Sequence, residues 1–476
     1  MTRYRRHSHL GFLVCLLVLS SVAFAQFETR GTFIAESNSS PYAIAVGDFN
    51  HDGKLDLAVV SGCCPAGGVS ILLGNGNGTF QPAATYPAGD QPVSIVAADF
   101  NHDGNLDLAV ANSLSTYLSI LIGNGDGTFQ ASTQSPALPA PANFVTVGDF
   151  NGDGKLDLVA LSLNNPCKCI SVLMGNGDGT FQDAVNTQPT FSIEAIGVGD
   201  FNGDGKLDLA AAGTFGSGST VNILPGNGDG TFQYGASYPG GNVPASIAVA
   251  DLNGDHKLDL AIANSEGQSV SVLLGNGDGT FLPAVYYPIP FPLSVTVADV
   301  NGDHKPDLVA ANFEFSSGAD VFLGNGDGTF QSPTFYPAGQ EVSYVATGDF
   351  NGDGKKDLVV ADYRYDDVVV LLNTGAASLS PTSPLVFKKQ AVGTTSAPQT
   401  VTLTNSGKAA LKISSMKTTG QFGVTSTCGT SVAPGAKCTI SVTFSPTSKG
   451  AKYGTVTIND SASSKPQVIQ LAGTGD

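Results

Sequence analysis

Short apolar segments separated by clusters of glycine, asparagine and aspartate run along most of the chain. In one stretch Val93–Ala98, Leu106–Ala111 and Ser119–Ile122 follow one another, and a fourth segment begins near Thr128-Phe129. Runs of this kind, rich in β-branched residues and bounded by turn-forming residues, predict strands. No stretch keeps a helical period of apolar residues. The pattern therefore predicts an all-β protein with units of four strands, named A to D in chain order.

A repeat of about 50 residues organises these strands. The segment Asp48–Asp56 recurs with its first aspartate at positions 99, 149, 200, 251, 299 and 349. A second motif, Gly-Asn-Gly-Asp-Gly-Thr-Phe, follows, as at Gly123–Phe129, with Asn77 replacing the aspartate in the first copy. Repeats of this length with four short strands are typical of propeller blades. Residues 26–375 are therefore predicted to form a seven-bladed β-propeller.

The two ends of the repeat region complement each other. The seventh unit stops at Leu371–Gly375 and lacks its strand D, whereas Arg30–Phe33 resembles the missing piece. We therefore expect the first strand to complete the last blade and close the ring. An open array of repeats would not need this complement.

The aspartate loops have the donor pattern of a calcium site. Hard oxygen ligands at alternate positions, with a glycine at the bend, suit Ca²⁺, whereas Mg²⁺ prefers to keep its waters. The loops differ from EF-hands because strands flank them and no glutamate closes a 12-residue loop. A set of Asx-turns is the alternative, but seven copies with three carboxylates each favour calcium. The predicted ligands, with the main-chain carbonyl at the fourth position of each loop, are Asp48, Asn50, Asp52, Lys54, Asp56, Asp99, Asn101, Asp103, Asn105, Asp107, Asp149, Asn151, Asp153, Lys155, Asp157, Asp200, Asn202, Asp204, Lys206, Asp208, Asp251, Asn253, Asp255, Lys257, Asp259, Asp299, Asn301, Asp303, Lys305, Asp307, Asp349, Asn351, Asp353, Lys355 and Asp357.

The N-terminus is typical of a secretory leader. Arg3, Arg5 and Arg6 precede an apolar run that closes on Ala23-Phe24-Ala25, so residues 1–25 are predicted to be a signal peptide. A membrane anchor is the alternative, but the run is shorter than the roughly 20 residues that a span needs. A lipid anchor at Cys15 is disfavoured by the bulky valine before it. We expect a secreted or cell-surface protein with no transmembrane segment after signal removal.

The charge of the chain agrees with these predictions. Removing the three arginines of the leader changes the formal charge from −18 to −21, and the seven loops hold 21 of the 40 acidic residues. Such acidity argues against nucleic-acid binding, which needs basic patches. Crowded carboxylates repel each other, so a cation is needed to offset them. We therefore expect up to seven structural Ca²⁺ ions, which would change the charge to −7.

The aspartate loop together with Gly-Asn-Gly-Asp-Gly-Thr-Phe resembles the FG-GAP/VCBS repeats of bacterial surface proteins, which are related to the integrin α-subunit propeller. The resemblance covers residues 26–375 and implies calcium in the A–B loops at the positions given above. Two loops depart from the pattern, with His256 and His304 in place of the glycine. Histidine adopts the required backbone conformation less easily than glycine, although it does occur there. The family implies binding or scaffolding rather than one defined activity.

The last hundred residues form a different region. Residues 376–384 are a predicted linker. The region after it has no aspartate loop, and alternating strands occur at Gln399–Thr404, Cys438–Phe444 and Gly454–Ile458. Length and pattern predict an immunoglobulin-like β-sandwich over 385–476. This stretch resembles the choice-of-anchor D domains of exported bacterial proteins, chiefly in 401–407 and 438–446.

Six cysteines remain after the leader. Cys428 and Cys438 flank a loop of the small domain and are predicted to pair, as suits an exported protein. The other four fall in the B–C connections of the first and third blades, where local disulfides are favoured and zinc binding stays open. These four are Cys63, Cys64, Cys167 and Cys169.

No catalytic constellation is evident. The four histidines after the leader, at 51, 102, 256 and 304, all lie in aspartate loops, so none is free to pair with a nucleophile. Neither a Gly-x-Ser-x-Gly elbow nor a phosphate-binding loop occurs. We therefore expect a protein that is not an enzyme. Paired carboxylates for polysaccharide cleavage remain the alternative.

The strand order predicts where a ligand binds. A–B and C–D connections share one face of a propeller, and the variable B–C and D–A connections share the other, where recognition usually occurs. Packing between blades is the alternative for each aromatic residue there, and the recurrent Tyr-Pro pairs at 86, 238, 287 and 336 are interpreted as structural. We predict a binding or adhesion module for glycan or protein ligands, with a structural scaffold or a calcium-dependent polysaccharide-degrading enzyme as alternatives. The candidate ligand residues are Tyr117, Phe313, Phe315, Tyr363, Arg364 and Tyr365.

Overall fold

The computed structural model describes residues 27–35, 40–62, 67–163, 167–189, 191–215, 218–313, 317–373, 377–380, 385–405, 410–433, 435–460 and 466–476. These residues form strands, turns and loops, without a helix. Consistent with this, no described helix has the length and apolarity needed to cross a membrane. The fold divides into two compact units, one covering 27–374 and the other containing 375–476.

Among its described residues, the first unit contains 28 strands, most of them short. In chain order they are β1 (Phe27–Ile34), β2 (Pro41–Gly47), β3 (Asp56–Ser61), β4 (Gly68–Leu72), β5 (Ala84–Pro87), β6 (Pro92–Ala98), β7 (Asp107–Asn112), β8 (Leu118–Leu121), β9 (Thr133–Gln134), β10 (Phe144–Gly148), β11 (Asp157–Ser162), β12 (Cys169–Leu173), β13 (Val185–Thr187), β14 (Ser192–Gly199), β15 (Asp208–Phe215), β16 (Gly218–Leu224), β17 (Ser237–Pro239), β18 (Pro244–Ala250), β19 (Asp259–Asn264), β20 (Ser269–Leu273), β21 (Val285–Pro288), β22 (Pro292–Ala298), β23 (Asp307–Asn312), β24 (Gly318–Phe322), β25 (Thr334–Pro337), β26 (Val342–Gly348), β27 (Asp357–Asp362) and β28 (Asp367–Asn373).

Seven antiparallel four-stranded sheets form the blades of a β-propeller. Blades one to six each use four consecutive strands, from β2–β5 to β22–β25. The first strands of neighbouring blades contact each other around the ring, and β26 of blade seven contacts β2 of blade one. The all-β, seven-bladed prediction is confirmed.

Blade seven is completed by the N-terminal strand, as expected. Its order is β26-β27-β28-β1, and Phe27 pairs with Asn373 while Ile34 pairs with Asp367. A register shift between Thr29 and Gly31 lets the strand follow its partner. The first and last described segments of the repeat region are therefore hydrogen-bonded to each other.

The core lies between the blades. Every residue of β7 and β8 is buried, whereas the outer strand β5 is largely exposed. Strands covered on both faces carry continuous apolar runs, which explains the Leu-Ala-Val pattern after each aspartate loop. Clusters cross from one blade to the next, as where Val60 and Ile71 of blade one pack with Val110 and Leu121 of blade two.

Strand D begins later than the sequence indicated. We expected it near Thr128-Phe129, but Phe129 makes only an isolated bridge with Gly123, and the strand is Thr133–Gln134. The Phe129 side chain is buried in the core between blades. The aromatic residue therefore ends the turn and anchors it, and pairing resumes only after it.

The second unit is a β-sandwich. One sheet has the order β29-β31-β35-β33 and the other β30-β37-β36-β32-β34. Between them Phe387, Phe422 and Phe444 pack together, with the last two rings stacked at 4.9 Å. Its strands are β29 (Ala377–Ser380), β30 (Leu385–Val386), β31 (Gln399–Asn405), β32 (Leu411–Thr418), β33 (Phe422–Ser426), β34 (Ser431–Val432), β35 (Lys437–Phe444), β36 (Gly450–Asp460) and β37 (Gln467–Gly475).

The linker prediction over 376–384 needs correction at its centre. Ala377–Ser380 is a strand that pairs with β31, and Leu379 is buried in the sandwich core. The alternating Ala-Ser-Leu-Ser pattern has one large apolar residue, too little to distinguish a strand from a linker by sequence. Residues 376 and 381–384 lie outside the described residues.

Candidate metal centre

Each aspartate loop connects strand A to strand B and folds around its own carboxylates. In the first loop the Asp52 main-chain N–H donates to Asp48 Oδ1 at 3.2 Å and to Asn50 Oδ1 at 3.0 Å. Gly53 N–H donates to Asp48 Oδ2 at 2.9 Å, and Lys54 N–H donates to Asp52 Oδ1 at 3.0 Å. The bond between the fifth and first residues recurs in all seven loops. The alternation of acidic and amide side chains thus serves a series of Asx-type turns.

The bend of the loop is preserved where histidine replaces glycine. His256 and His304 both have a φ of 64°, and their N–H groups donate to Asp251 and Asp299 at 2.8 Å, as glycine does elsewhere. Both imidazoles are almost fully exposed. The two departures from the repeat pattern therefore keep the left-handed backbone geometry.

The last aspartate of each loop is buried and ties the loop to its blade. Asp56 Oδ2 accepts from Phe49 N–H at 2.9 Å, and Oδ1 accepts from Gly74 N–H, in the C–D turn, at 2.7 Å. All seven residues are 0% exposed. The equivalent partners are Gly123 for Asp107, Gly175 for Asp157, Gly226 for Asp208, Gly275 for Asp259, Gly324 for Asp307 and, at the end of β28, Asn373 for Asp357.

The electrostatics of the loop differ between its exposed and buried ends. Burial raises the pKa of the last aspartate, to about 6 for Asp107 and about 7 for Asp307 and Asp357, and the two earlier carboxylates of the same loop raise it further. The hydrogen bond from the Lys54 ammonium instead lowers the pKa of exposed Asp52. Three carboxylates therefore lie close enough to repel one another, which is the condition that a cation relieves.

The residues present fit calcium in donor chemistry. Every predicted ligand supplies oxygen, and an ionised carboxylate offers about four acceptor sites, so Asp48 and Asp56 keep acceptor capacity beyond their bonds to N–H groups. Within the described ranges, no three histidine, cysteine or carboxylate side chains already converge as a metal site. An ion would therefore also draw on the asparagine amide and the main-chain carbonyl of each loop, the two further ligands predicted from the sequence.

A second role of the repeated motifs was missed in the sequence. The N–H of Gly127 in the second blade's C–D turn donates to Phe49 O in the first blade's aspartate loop at 2.9 Å, and the two motif phenylalanines, Phe49 and Phe129, pack edge to face at 5.6 Å. Gly78 N–H donates likewise to Phe350 O of blade seven, at 2.8 Å across the ring closure. The motifs thus clamp neighbouring blades, and the joint recurrence of the two phenylalanines was the available signal.

The Tyr-Pro pairs also join blades, which supports their interpretation as structural residues. Tyr238 and Tyr287 accept hydrogen bonds from the N–H groups of Phe281 and Phe330 of the following blade, at 3.0 and 3.1 Å. Tyr336 packs edge to face on Phe27 of β1 at 5.1 Å.

On the opposite face, the structure brings together only part of the predicted ligand residues. Tyr363 packs between Tyr42 and Phe313, with ring centroids at 5.3 and 6.3 Å, so Phe313 and Tyr363 have the packing role that was the alternative for them. Arg364 forms an ion pair with Glu341 at 2.8 Å, and Tyr365 is exposed. Tyr117 is half-buried in blade two. Phe315 lies outside the described residues.

Two pairs of cysteines lie close together. The Cα atoms of Cys428 and Cys438 are 4.9 Å apart, and those of Cys167 and Cys169 are 5.3 Å apart, both distances at which disulfides form. The predicted signal peptide, Cys63 and Cys64 lie outside the described residues.

Family models match both units of the chain. A model described as FG-GAP-like repeat matches six overlapping segments, 48–110, 99–160, 149–211, 200–262, 251–310 and 299–360. The chain belongs to the FG-GAP-like repeat family. Its C-terminal region, 375–468, matches a model described as Abnormal spindle-like microcephaly-assoc'd, ASPM-SPD-2-Hydin. That domain has an immunoglobulin-like fold, which confirms the fold predicted there, whereas the resemblance had pointed to choice-of-anchor D domains.

Individual relatives are more distant from this FG-GAP-like protein. The chain is 26% identical over 213 residues to cartilage acidic protein 1 of Homo sapiens and to that of Mus musculus, a match covering 40% of this chain. The chain thus spans about a third, 32%, of the length of these curated relatives. A putative 6-phosphogluconolactonase from Bacteroides uniformis superposes with a TM-score of 0.45 at 15% identity, covering 67% of this chain and 88% of that chain.

Proposed function

We propose that this FG-GAP-like propeller acts outside the cell as a binding module whose rigid frame is stabilised by calcium. The contrast between its two faces carries the proposal. One face repeats the same hydrogen-bonded loop seven times, whereas the other presents connections that differ from blade to blade. Variable loops on a rigid scaffold are where recognition usually occurs. The predicted leader and the similarity to cartilage acidic protein 1 support an extracellular location.

Calcium is assigned to the aspartate loops as a structural ion. Each loop offers carboxylate, amide and carbonyl oxygens in the order that calcium sites use. The ion would be held by the first, third, fifth, seventh and ninth residues of each loop, and it would offset the repulsion between the three carboxylates. The chain's own hydrogen bonds already shape the loop, so the ion would stabilise a preformed turn.

The ligand is proposed to be a protein or a glycan bound on the B–C and D–A face. The test is binding of the protein without its leader to panels of glycans and matrix proteins, with calcium and with chelator. Retention of one ligand class that depends on calcium supports the binding module. The absence of binding in both conditions favours the scaffold alternative.

We propose that the protein is not an enzyme, because the four histidines after the predicted leader all lie in aspartate loops. Turnover assays on polysaccharides test this directly. Release of reducing ends by the purified protein, lost on mutation of a carboxylate pair on the variable face, would contradict it.

A further inference from the structure

Blade seven differs from the other blades in the pair of residues that closes its β27–β28 hairpin. Asp362 and Asp367 are directly opposite each other in the ladder. Like charges in this position destabilise a sheet. The other blades have neutral residues at the first position, namely Ser61, Asn112, Ser162, Gly213, Asn264 and Asn312. In the five blades whose ladder extends to this pair, the second position is also neutral, as Gly68, Cys169, Thr220, Ser269 and Gly318.

The two aspartates differ in the hydrogen bonds that their side chains accept. Asp362 Oδ2 accepts from Gln340 N–H at 2.8 Å, and its Oδ1 accepts from Arg364 N–H at 3.1 Å. Asp367 is 8% exposed, and its buried Oδ1 has no hydrogen-bond partner among the described residues. Burial and the neighbouring Asp362 and Asp366 carboxylates raise the pKa of Asp367 to about 7. A buried polar oxygen without a donor is costly to retain, and a hydrogen-bond donor supplied by a ligand would relieve that cost.

A cavity of about 380 Å³ adjoins this pair. Its lining includes Thr29, Thr32, Gln340, Asp362, Tyr365 and Asp367. The volume falls within the usual range for small-ligand pockets and exceeds what one ammonium group needs. Arg364, two residues from Asp362, is already paired with Glu341, so it does not neutralise the carboxylates that line the cavity.

We propose that this cavity of blade seven binds the basic side chain of a protein ligand, a lysine or an arginine, through Asp367 and Asp362. The proposal rests on the binding function proposed above and names the chemistry of one ligand group. The carboxylates attract the cationic group, and the Thr29 and Thr32 hydroxyls offer further acceptors. Tyr365, 53% exposed, offers a ring face to the cation or its aliphatic stem.

The test is calorimetric titration of the calcium-loaded protein without its leader, using Nα-acetyl-lysine amide and Nα-acetyl-arginine amide as probes. Nα-acetyl-citrulline amide is the neutral control, and glucosamine tests an amino-sugar ligand. We expect the two basic amides to bind and citrulline amide to bind at least tenfold more weakly. Equal binding of the neutral amide would overturn the proposal, and tighter binding of glucosamine would replace the protein side chain with a glycan.

The other blades show which residues can replace the two aspartates. Asp362→Asn and Asp367→Ser install the residues that blade five has at these positions, and each is expected to weaken the basic amides at least tenfold. Asp126→Asn, in an exposed C–D turn on the other face, makes the same change in charge as a control and should leave binding unchanged. Unchanged binding in Asp367→Ser would refute the proposal. Because the wild-type comparison of charged and neutral amides needs no variant, a folding defect would not leave it undecided.

The failure of this proposal can be distinguished from the failure of the proposed function. If the protein retains a panel ligand in calcium and Asp367→Ser retains it equally, the cavity proposal fails while the binding function stands. If the basic amides bind the wild type but not Asp367→Ser, and no panel ligand is retained, the proposed function fails while the cavity is confirmed.

Discussion

Buried carboxylates on the two faces of the propeller differ in the hydrogen bonds that they accept. On the face with the aspartate loops, every buried carboxylate accepts two main-chain N–H groups, as Asp157 does from Phe150 and Gly175 at 2.8 Å each. On the opposite face, Asp367 is buried without a donor to its Oδ1. The buried carboxylates of the repeated face thus have hydrogen-bond donors from the protein itself, without an ion. In the cavity of blade seven, by contrast, a buried carboxylate oxygen has no donor. The residues that repeat from blade to blade thus have a structural role. The acidic pair that occurs in blade seven instead of neutral residues marks the candidate binding site.

Removing calcium should have the largest effect. An ion that binds only the folded state at 100 times its Kd adds about 2.7 kcal/mol per site, and seven loops offer the same ligands. We expect the melting temperature of the propeller to fall by about 10 °C or more in chelator. Scanning calorimetry with Ca²⁺, with Mg²⁺ and with EDTA measures this. An identical melting temperature in Ca²⁺ and EDTA would contradict a structural role for the ion.

Two substitutions in one loop separate the carboxylate that anchors the blade from a proposed calcium ligand that makes contacts only within the loop. Asp157→Ala leaves two buried N–H groups without an acceptor and should cost about 3 kcal/mol even in chelator. Asp153→Ala, at an exposed position of the same loop, should cost less than about 1 kcal/mol there. Both should lower the bound calcium by one ion. Chemical denaturation in EDTA and calcium titration give the two readouts, and equal losses of stability would show that the anchoring role is wrong.

The pH dependence tests the other face. Folded Asp367 keeps its proton up to about pH 7, whereas the unfolded chain loses it near pH 4. Its contribution to stability is therefore complete below pH 4 and is lost as the pH rises through 7. Asp367→Ser lacks this component, so its stability relative to wild type should increase between pH 4 and pH 8. Denaturation curves of both proteins across that range measure the difference, and a constant difference would contradict the raised pKa.

The smallest expected effect concerns a tyrosine between blades. Tyr287→Phe removes the acceptor for Phe330 N–H and should cost about 1 kcal/mol. Its neighbour Tyr286 donates to Gly240 O at a longer 3.3 Å and is half exposed, so Tyr286→Phe should cost less. Thermal melts of the two variants compare them directly. A larger loss in Tyr286→Phe would reverse the assignment.

Much of the fold could be predicted because each blade repeats the same physical signals. The aspartate spacing gave the number of blades, and the incomplete seventh unit gave the role of β1. The start of strand D could not be predicted, because Phe129 belongs to the turn rather than to the strand. Only its packing in the core between blades shows this. The strand Ala377–Ser380 could not be predicted from the sequence either, since only its pairing with β31 distinguishes it from a linker.

The candidate sites were predictable to different extents. The aspartate loops could be found residue by residue, because all their ligands lie within nine residues of sequence. The cavity could not, because it also needs Thr29 and Gln340, which only the ring closure and the neighbouring connection bring near Asp367. The departure of Asp362 from the neutral residues of the other blades was visible in the sequence and was overlooked. The packing of Tyr363 between its neighbours also required the structure.

The pairing of Phe27 with Asn373 has a consequence for how the chain matures. The strand that finishes the last blade is made first, so it must wait for the whole repeat region before its partner exists. Until then β28 presents an unpaired edge, the kind of surface that recruits other chains, and the two ends have a long loop to close. Ring closure is thus a late step that requires the complete repeat region. A truncated chain would be left with an unpaired strand edge.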